Sequence, residues 1–150
     1  MQRWYLDTSV IGGYFDKEFA EWTVPLIGMI QRSEVIALIS EIADAELTGA
    51  PEEVIRLVSG LPSNMIQRIP VTPEIEQLAQ RYITEKVVGR TSYADCLHIA
   101  IATVNKADLL VSWNFKHIVN VVRIRGYNAV NYRLGYSLLE IRSPRDIIGT

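Results

Sequence analysis

Three acids, Asp7, Glu46 and Asp95, are the residues whose type and setting could do chemistry, with Asn114 as a fourth candidate. Asp7 ends the run Trp4-Tyr5-Leu6, which reads as a strand. A carboxylate at the end of a parallel strand lies where open α/β sheets bind ligands. Wound at about 100° per residue, the segment 41–48 puts Glu46 in the middle of the arc formed by Ile42, Ala43, Ala45 and Leu47. Glu41, Asp44 and Thr48 fall on the other side. A carboxylate centred on an apolar arc is costly unless paired or bound to a cation. Asp95 opens a strongly apolar helix, and Asn114 follows a strand. Carboxylates gathered at one sheet edge repel without a cation, and such hard oxygen donors suit Mg²⁺ or Mn²⁺.

Each of these residues also has a plainer reading. Asp7 could be a helix N-cap. Glu46 could be salt-bridged or extended to solvent. Ser92-Tyr93-Ala94-Asp95 has the spacing of a capping box, with Asp for the usual Glu or Gln. Asn114 could be a turn residue. Thr8 and Ser9 could donate hydrogen bonds near a phosphate, and Ser112 lies beside Asn114. There is no zinc-type Cys/His spacing, Gly-rich phosphate loop or Gly-x-Ser-x-Gly elbow. His98 and His117 stand isolated in the sequence and read as core or surface residues, Cys96 as a small buried side chain.

The elements that must position these residues alternate. Strands are predicted at Arg3–Leu6, Val35–Ile39, Ile66–Val71, Asp108–Ser112 and Leu138–Ile141. Helices are predicted over Ser9–Phe15, Phe19–Arg32, Glu41–Thr48, Glu52–Ser59, Thr72–Val87, Ser92–Asn105 and Lys116–Leu134. Pro25 is expected to kink or split the second, and Gly126 to interrupt the last. Ser143-Pro144 opens a final turn. This order predicts a parallel sheet with helices on both faces, in one domain spanning residues 1–150. All four candidates can then meet at the carboxyl edge.

The hydrophobic fraction of 49% and charged fraction of 21% fit a globular protein. The longest apolar runs, such as Val35–Ile39, are too short to span a bilayer, so no membrane role is expected. No charged-then-apolar leader opens the chain, and its one cysteine cannot form an internal disulfide, which together predict a cytoplasmic location. The net charge of −2 argues against a protein that grips nucleic acid by charge alone. The charge is uneven, however: residues 1–89 sum to −6 and residues 90–150 to +4. Lys116, Arg123, Arg125, Arg133, Arg142 and Arg145 could form a phosphate-facing patch or an ordinary solvated surface.

Four stretches occur in an order that resembles the PIN-domain family, and more narrowly its VapC-type toxin ribonucleases. They are Tyr5-Leu6-Asp7-Thr8-Ser9-Val10, the segment from Ile39 to Leu47, the segment from Tyr93 to Ala102, and the segment from Ala107 to Ile118. The resemblance implies a three-layer α/β/α fold with a central parallel sheet. It implies a Mg²⁺- or Mn²⁺-dependent endoribonuclease whose metal-binding acids are Asp7, Glu46 and Asp95. Asn114 stands where many members carry a further acid, and would orient a coordinated water. Asp108 precedes its strand and belongs at the opposite edge. The resemblance also implies an RNA substrate, a small antitoxin partner and a homodimer. The residues alone leave two other functions open. One is a metal-dependent phosphatase or a phospho-acceptor domain using Asp7. The other is a catalytically silent binding module in which Asp7 and Asp95 are simple caps.

Overall fold

The computed structural model describes residues 1–149. Five strands form one sheet among them: β1 (Arg3–Leu6), β2 (Ile36–Ser40), β3 (Ile66–Ile69), β4 (Leu109–Val111) and β5 (Ile141–Arg142). Their order is β3-β2-β1-β4-β5, and every pairing is parallel. The first strand is thus the central one. Eight helices connect and flank the strands: α1 (Thr8–Gly13), α2 (Ala20–Gln31), α3 (Glu41–Leu47), α4 (Glu52–Ser59), α5 (Pro73–Thr84), α6 (Tyr93–Val104), α7 (Val121–Arg133) and α8 (Pro144–Ile148).

Side chains of a strand alternate between sheet faces, and the two cores follow that alternation. Tyr5, Leu38, Leu110 and Ile141 pack on one face with buried residues of α5, α6 and α7. Trp4, Leu6, Ala37, Ile39, Leu109 and Val111 pack on the other with α1, α2 and α4. The result is helix, sheet, helix: a three-layer α/β/α fold. β1 is buried on both sides, and Tyr5 and Leu6 are fully inaccessible. Asp7 continues its ladder by one bond, from its N–H to the Val111 carbonyl at 3.0 Å.

Three elements differ from the sequence reading. Of the kink or split expected at Pro25, the split does not occur: α2 runs unbroken from Ala20 to Gln31. Leu26, Ile27 and Ile30 are buried against the sheet, and that packing outweighs the one lost backbone bond. Gly126 does not interrupt α7. A Cβ there would come within 2.7 Å of Val87 Cγ1, so the glycine allows close packing rather than a break. The stretch before α7 is not helical; Asn120 caps that helix by accepting from the N–H groups of Val122 and Arg123. Finally, β5 is Ile141–Arg142 rather than 138–141. Leu139 is held away from the sheet, donating its N–H to Asn128 Oδ1 at 2.7 Å and accepting from the Asn128 amide at 3.0 Å.

Candidate active site at the carboxyl edge of the sheet

The parallel sheet delivers the ends of β1, β2 and β4 to one edge, and the candidate acids sit there. Asp7 follows β1 directly. It occupies the N-cap position of α1, yet its side chain makes no capping bond. Its Oδ2 instead accepts two hydroxyls, Ser9 Oγ and Ser112 Oγ, both at 2.7 Å. Ser9 Oγ in turn accepts the Trp113 N–H at 3.0 Å, and Ser112 Oγ accepts the Asn114 N–H at 2.9 Å. Asp7 is 6% exposed, so this hydroxyl pair replaces most of the water the carboxylate has lost.

Glu46 lies in the last turn of α3, with 38% of its side chain accessible. Ser40 ends β2 and caps α3 by accepting from the Ala43 N–H at 3.1 Å, which aims the helix back over the sheet edge. Ile42, Ala43 and Leu47 turn inward as predicted, but Ala45 is exposed, so Glu46 is on the rim of the apolar arc rather than at its centre. Its Oε1 accepts from Thr8 Oγ1 at 2.6 Å and lies 2.8 Å from His98 Nε2. Asp95 is in the first turn of α6. No side-chain cap is formed by Ser92, so the capping-box reading is not realised. Asp95 Oδ1 accepts from the Asn114 amide at 3.2 Å.

Asn114 uses both ends of its amide. Its oxygen accepts the N–H groups of Lys116 at 3.2 Å and His117 at 3.0 Å, closing the turn after β4. Its nitrogen serves Asp95. The side chain is therefore both the turn residue and the neighbour of an acid. The hydroxyl protons of Thr8, Ser9 and Ser112 likewise go to the carboxylates. Each of the three acids has one oxygen anchored by uncharged donors or by the His98 ring. Among the described residues, Asp95 Oδ2 and Glu46 Oε2 accept no hydrogen bond, and Asp7 Oδ1 has only His98 Nε2 at 3.4 Å. No lysine or arginine among them forms an ion pair with any of the three.

His98 is the residue that sequence reasoning set aside. It is 1% exposed, one turn beyond Asp95 on α6, and its ring reaches both Asp7 and Glu46. Ligand atoms of Asp7, Glu46 and His98 all lie within 4.8 Å of one another. The i, i+3 spacing of Asp95 and His98 was the available signal, since residues so spaced share a helix face. Asp95 falls outside that group of three. The electrostatics reflect the crowding. Burial and the charge of Asp7 push the Asp95 carboxyl above its ordinary value. The hydrogen bond with His98, and then that from Thr8, hold Glu46 below its ordinary value against the effect of burial. Burial pushes the His98 ring down, but the bond to Glu46 and the charges of Asp7, Glu46 and Asp95 carry it above 6.5.

This donor set fits a divalent cation. Hard oxygens of Asp7 and Glu46 lie close together with their outer-shell contacts already made, and no lysine or arginine neutralises them. Four basic residues of the C-terminal third are engaged elsewhere: Arg133 pairs with Glu85, Arg142 with Glu140, Arg123 donates to the Val87 carbonyl, and Arg145 lies 5.1 Å from the Trp22 ring centroid. Asp108 accepts the Arg3 N–H at 2.8 Å, at the start of its strand and away from the site.

No family model matches the sequence, and no curated protein does. Solved structures do. One is the crystal structure of VapBC2 from Rickettsia felis bound to a DNA fragment from their promoter. It matches with a TM-score of 0.60 and 16% identity over 95% of this chain and 98% of that one. Another is FitAcB from Neisseria gonorrhoeae, with a TM-score of 0.57 and 15% identity over 94% of this chain and 97% of that one. At such identities the likeness is one of fold. The parallel five-stranded sheet, its two helical layers and these neighbours together show that the chain has the three-layer PIN-domain fold.

Proposed function

We propose that this chain is a divalent-metal-dependent endoribonuclease, the toxin of a type II toxin–antitoxin pair. The observation that carries the reading is the set of three carboxylates at the carboxyl edge, each with one oxygen held from behind and no lysine or arginine paired to it. A capping or purely structural role would not need that arrangement. Asp7 Oδ1, Glu46 Oε2 and Asp95 Oδ2 are the oxygens that would hold Mg²⁺ or Mn²⁺. When bound, such an ion makes a coordinated water more acidic and neutralises charge developing on a phosphodiester. The chain's own residues do the rest. Ser9 and Ser112 fix the rotamer of Asp7, Thr8 and His98 fix Glu46, and Asn114 fixes Asp95.

The toxin role and the antitoxin partner are read from the family resemblance together with the fold neighbours, one of which is VapBC2. An antitoxin that covers the carboxyl edge would silence the site. The experiment is cleavage of a structured RNA pool by purified, partner-free protein in Mn²⁺ or Mg²⁺, with a chelator control. Metal-dependent endonucleolytic fragments are the expected result. Labelling of Asp7 by a small phosphodonor without RNA cleavage would favour the phospho-acceptor function instead.

A further inference from the structure

The proximity of Asp7, Glu46 and His98 suggests that the imidazole could be a third metal ligand. Proton bookkeeping along the buried hydrogen-bond chain behind it argues otherwise. Ser40 is fully buried, and its Oγ already accepts the Ala43 N–H. Among the described residues its only other side-chain neighbour is Tyr5 Oη, at 2.8 Å, so the Ser40 proton goes there. Tyr5 Oη then has one proton to give, and its other partner is His98 Nδ1, at 2.5 Å. Nδ1 is therefore the acceptor, and the neutral ring carries its proton on Nε2. A doubly protonated ring carries one there too. In both forms Nε2 donates to Glu46 Oε1 at 2.8 Å, with Asp7 Oδ1 at 3.4 Å, and has no lone pair for a metal.

We propose that His98 is a positioning residue and not a metal ligand: Ser40 and Tyr5 hold it as the Nε2–H tautomer, and it clamps one oxygen of Glu46 so that the other faces the cation. The chain of bonds crosses the fold. It starts at the N-cap of α3, passes through β1 and α6, and returns to the last turn of α3, so the two ends of one short helix are tied through the sheet. The bond from Thr8 to the same Oε1 completes the clamp. This inference rests on the acids being a metal site, but its first test does not.

The test is a long-range ¹H–¹⁵N correlation spectrum of ¹⁵N-histidine-labelled protein, with His98→Gln identifying the His98 signals against those of His117. A proton on Nε2 throughout the folded pH range is expected. A ring protonated on Nδ1 alone overturns the proposal, whether or not the protein cleaves RNA. Tyr5→Phe removes the proton that fixes the acceptor, and should let the second tautomer appear. Mn²⁺ affinity followed by electron paramagnetic resonance gives the second readout. His98→Gln, whose amide can donate to Glu46 and accept from Tyr5, should bind close to wild type. His98→Leu should bind about 10–100-fold more weakly, the usual loss for an outer-shell partner. A folded His98→Leu protein that binds Mn²⁺ like wild type contradicts the clamp. So does nitrogen hyperfine coupling from His98 to bound Mn²⁺.

Discussion

Asn114 donates its side-chain N–H to Asp95 Oδ1 at 3.2 Å while its own amide oxygen closes the turn that follows β4. The residue thus couples the geometry of a loop to that of an acid. Asn114→Asp keeps an oxygen for the turn but replaces the donor with a fourth negative charge beside a carboxyl already pushed up by burial and by Asp7. Like charges a few ångströms apart destabilise each other. The variant should melt below wild type in chelator and recover most of the difference in Mn²⁺. Thermal unfolding under the two conditions checks this, and equal losses in both would show that the added charge does not face the cation.

Ser112→Ala tests the hydroxyl pair behind Asp7. The substitution removes one of the two donors to Oδ2 and the acceptor for the Asn114 N–H, at a fully buried position. Leaving buried polar groups unsatisfied costs about 1–3 kcal/mol. Urea unfolding should show a loss of that size. Weaker Mn²⁺ binding should accompany it, because the rotamer of Asp7 is no longer fixed from both sides.

Two glycines make opposite predictions. Gly126→Ala drives a Cβ to within 2.7 Å of Val87 Cγ1, and overpacking of this kind costs about 1–3 kcal/mol. Gly12→Ala, in α1, meets nothing within 4 Å and should be stabilising by about 0.5–1 kcal/mol. Denaturant midpoints of the two variants should move in opposite directions from wild type.

These elements also show what was legible in the residues. The parallel sheet covered on both faces follows from strands that alternate with helices, and the three acids were found because each ends a strand or opens or lines a helix. The pairing of Tyr5 with Ser40 and His98 was not legible, because it joins residues 35 and 93 positions apart and depends on the packed sheet. Gly126 was misread for a similar reason: its neighbour Val87 lies in another segment, and a local pattern cannot distinguish close packing from a break. Glu46 was placed at the middle of its arc, but its short helix leaves Ala45 in solvent.

The pH dependence of metal-free stability carries a defined sign. The folded protein holds the His98 proton more tightly than the unfolded chain does. Its contribution to stability is therefore fully present below about 6.5 and is lost as pH rises through the higher folded value. Asp95 acts in the same direction at lower pH, since its raised folded value makes ionisation unfavourable. Glu46 acts oppositely: its lowered value stabilises above the ordinary carboxyl range, and that contribution is lost on acidification. Melting temperature in chelator should decline above pH 6.5, and His98→Gln should flatten that decline. A steeper fall in the variant would contradict the assignment.

The metal site is tested most directly by locating a bound ion. Crystals of the protein grown or soaked with Mn²⁺ would be measured for anomalous scattering. A peak is expected at the carboxyl edge of the sheet, liganded by Asp7, Asp95 and Glu46 and lost in Asp95→Asn. A peak held elsewhere, or no peak in a protein that binds Mn²⁺ in solution, would contradict the reading of these acids as a metal site.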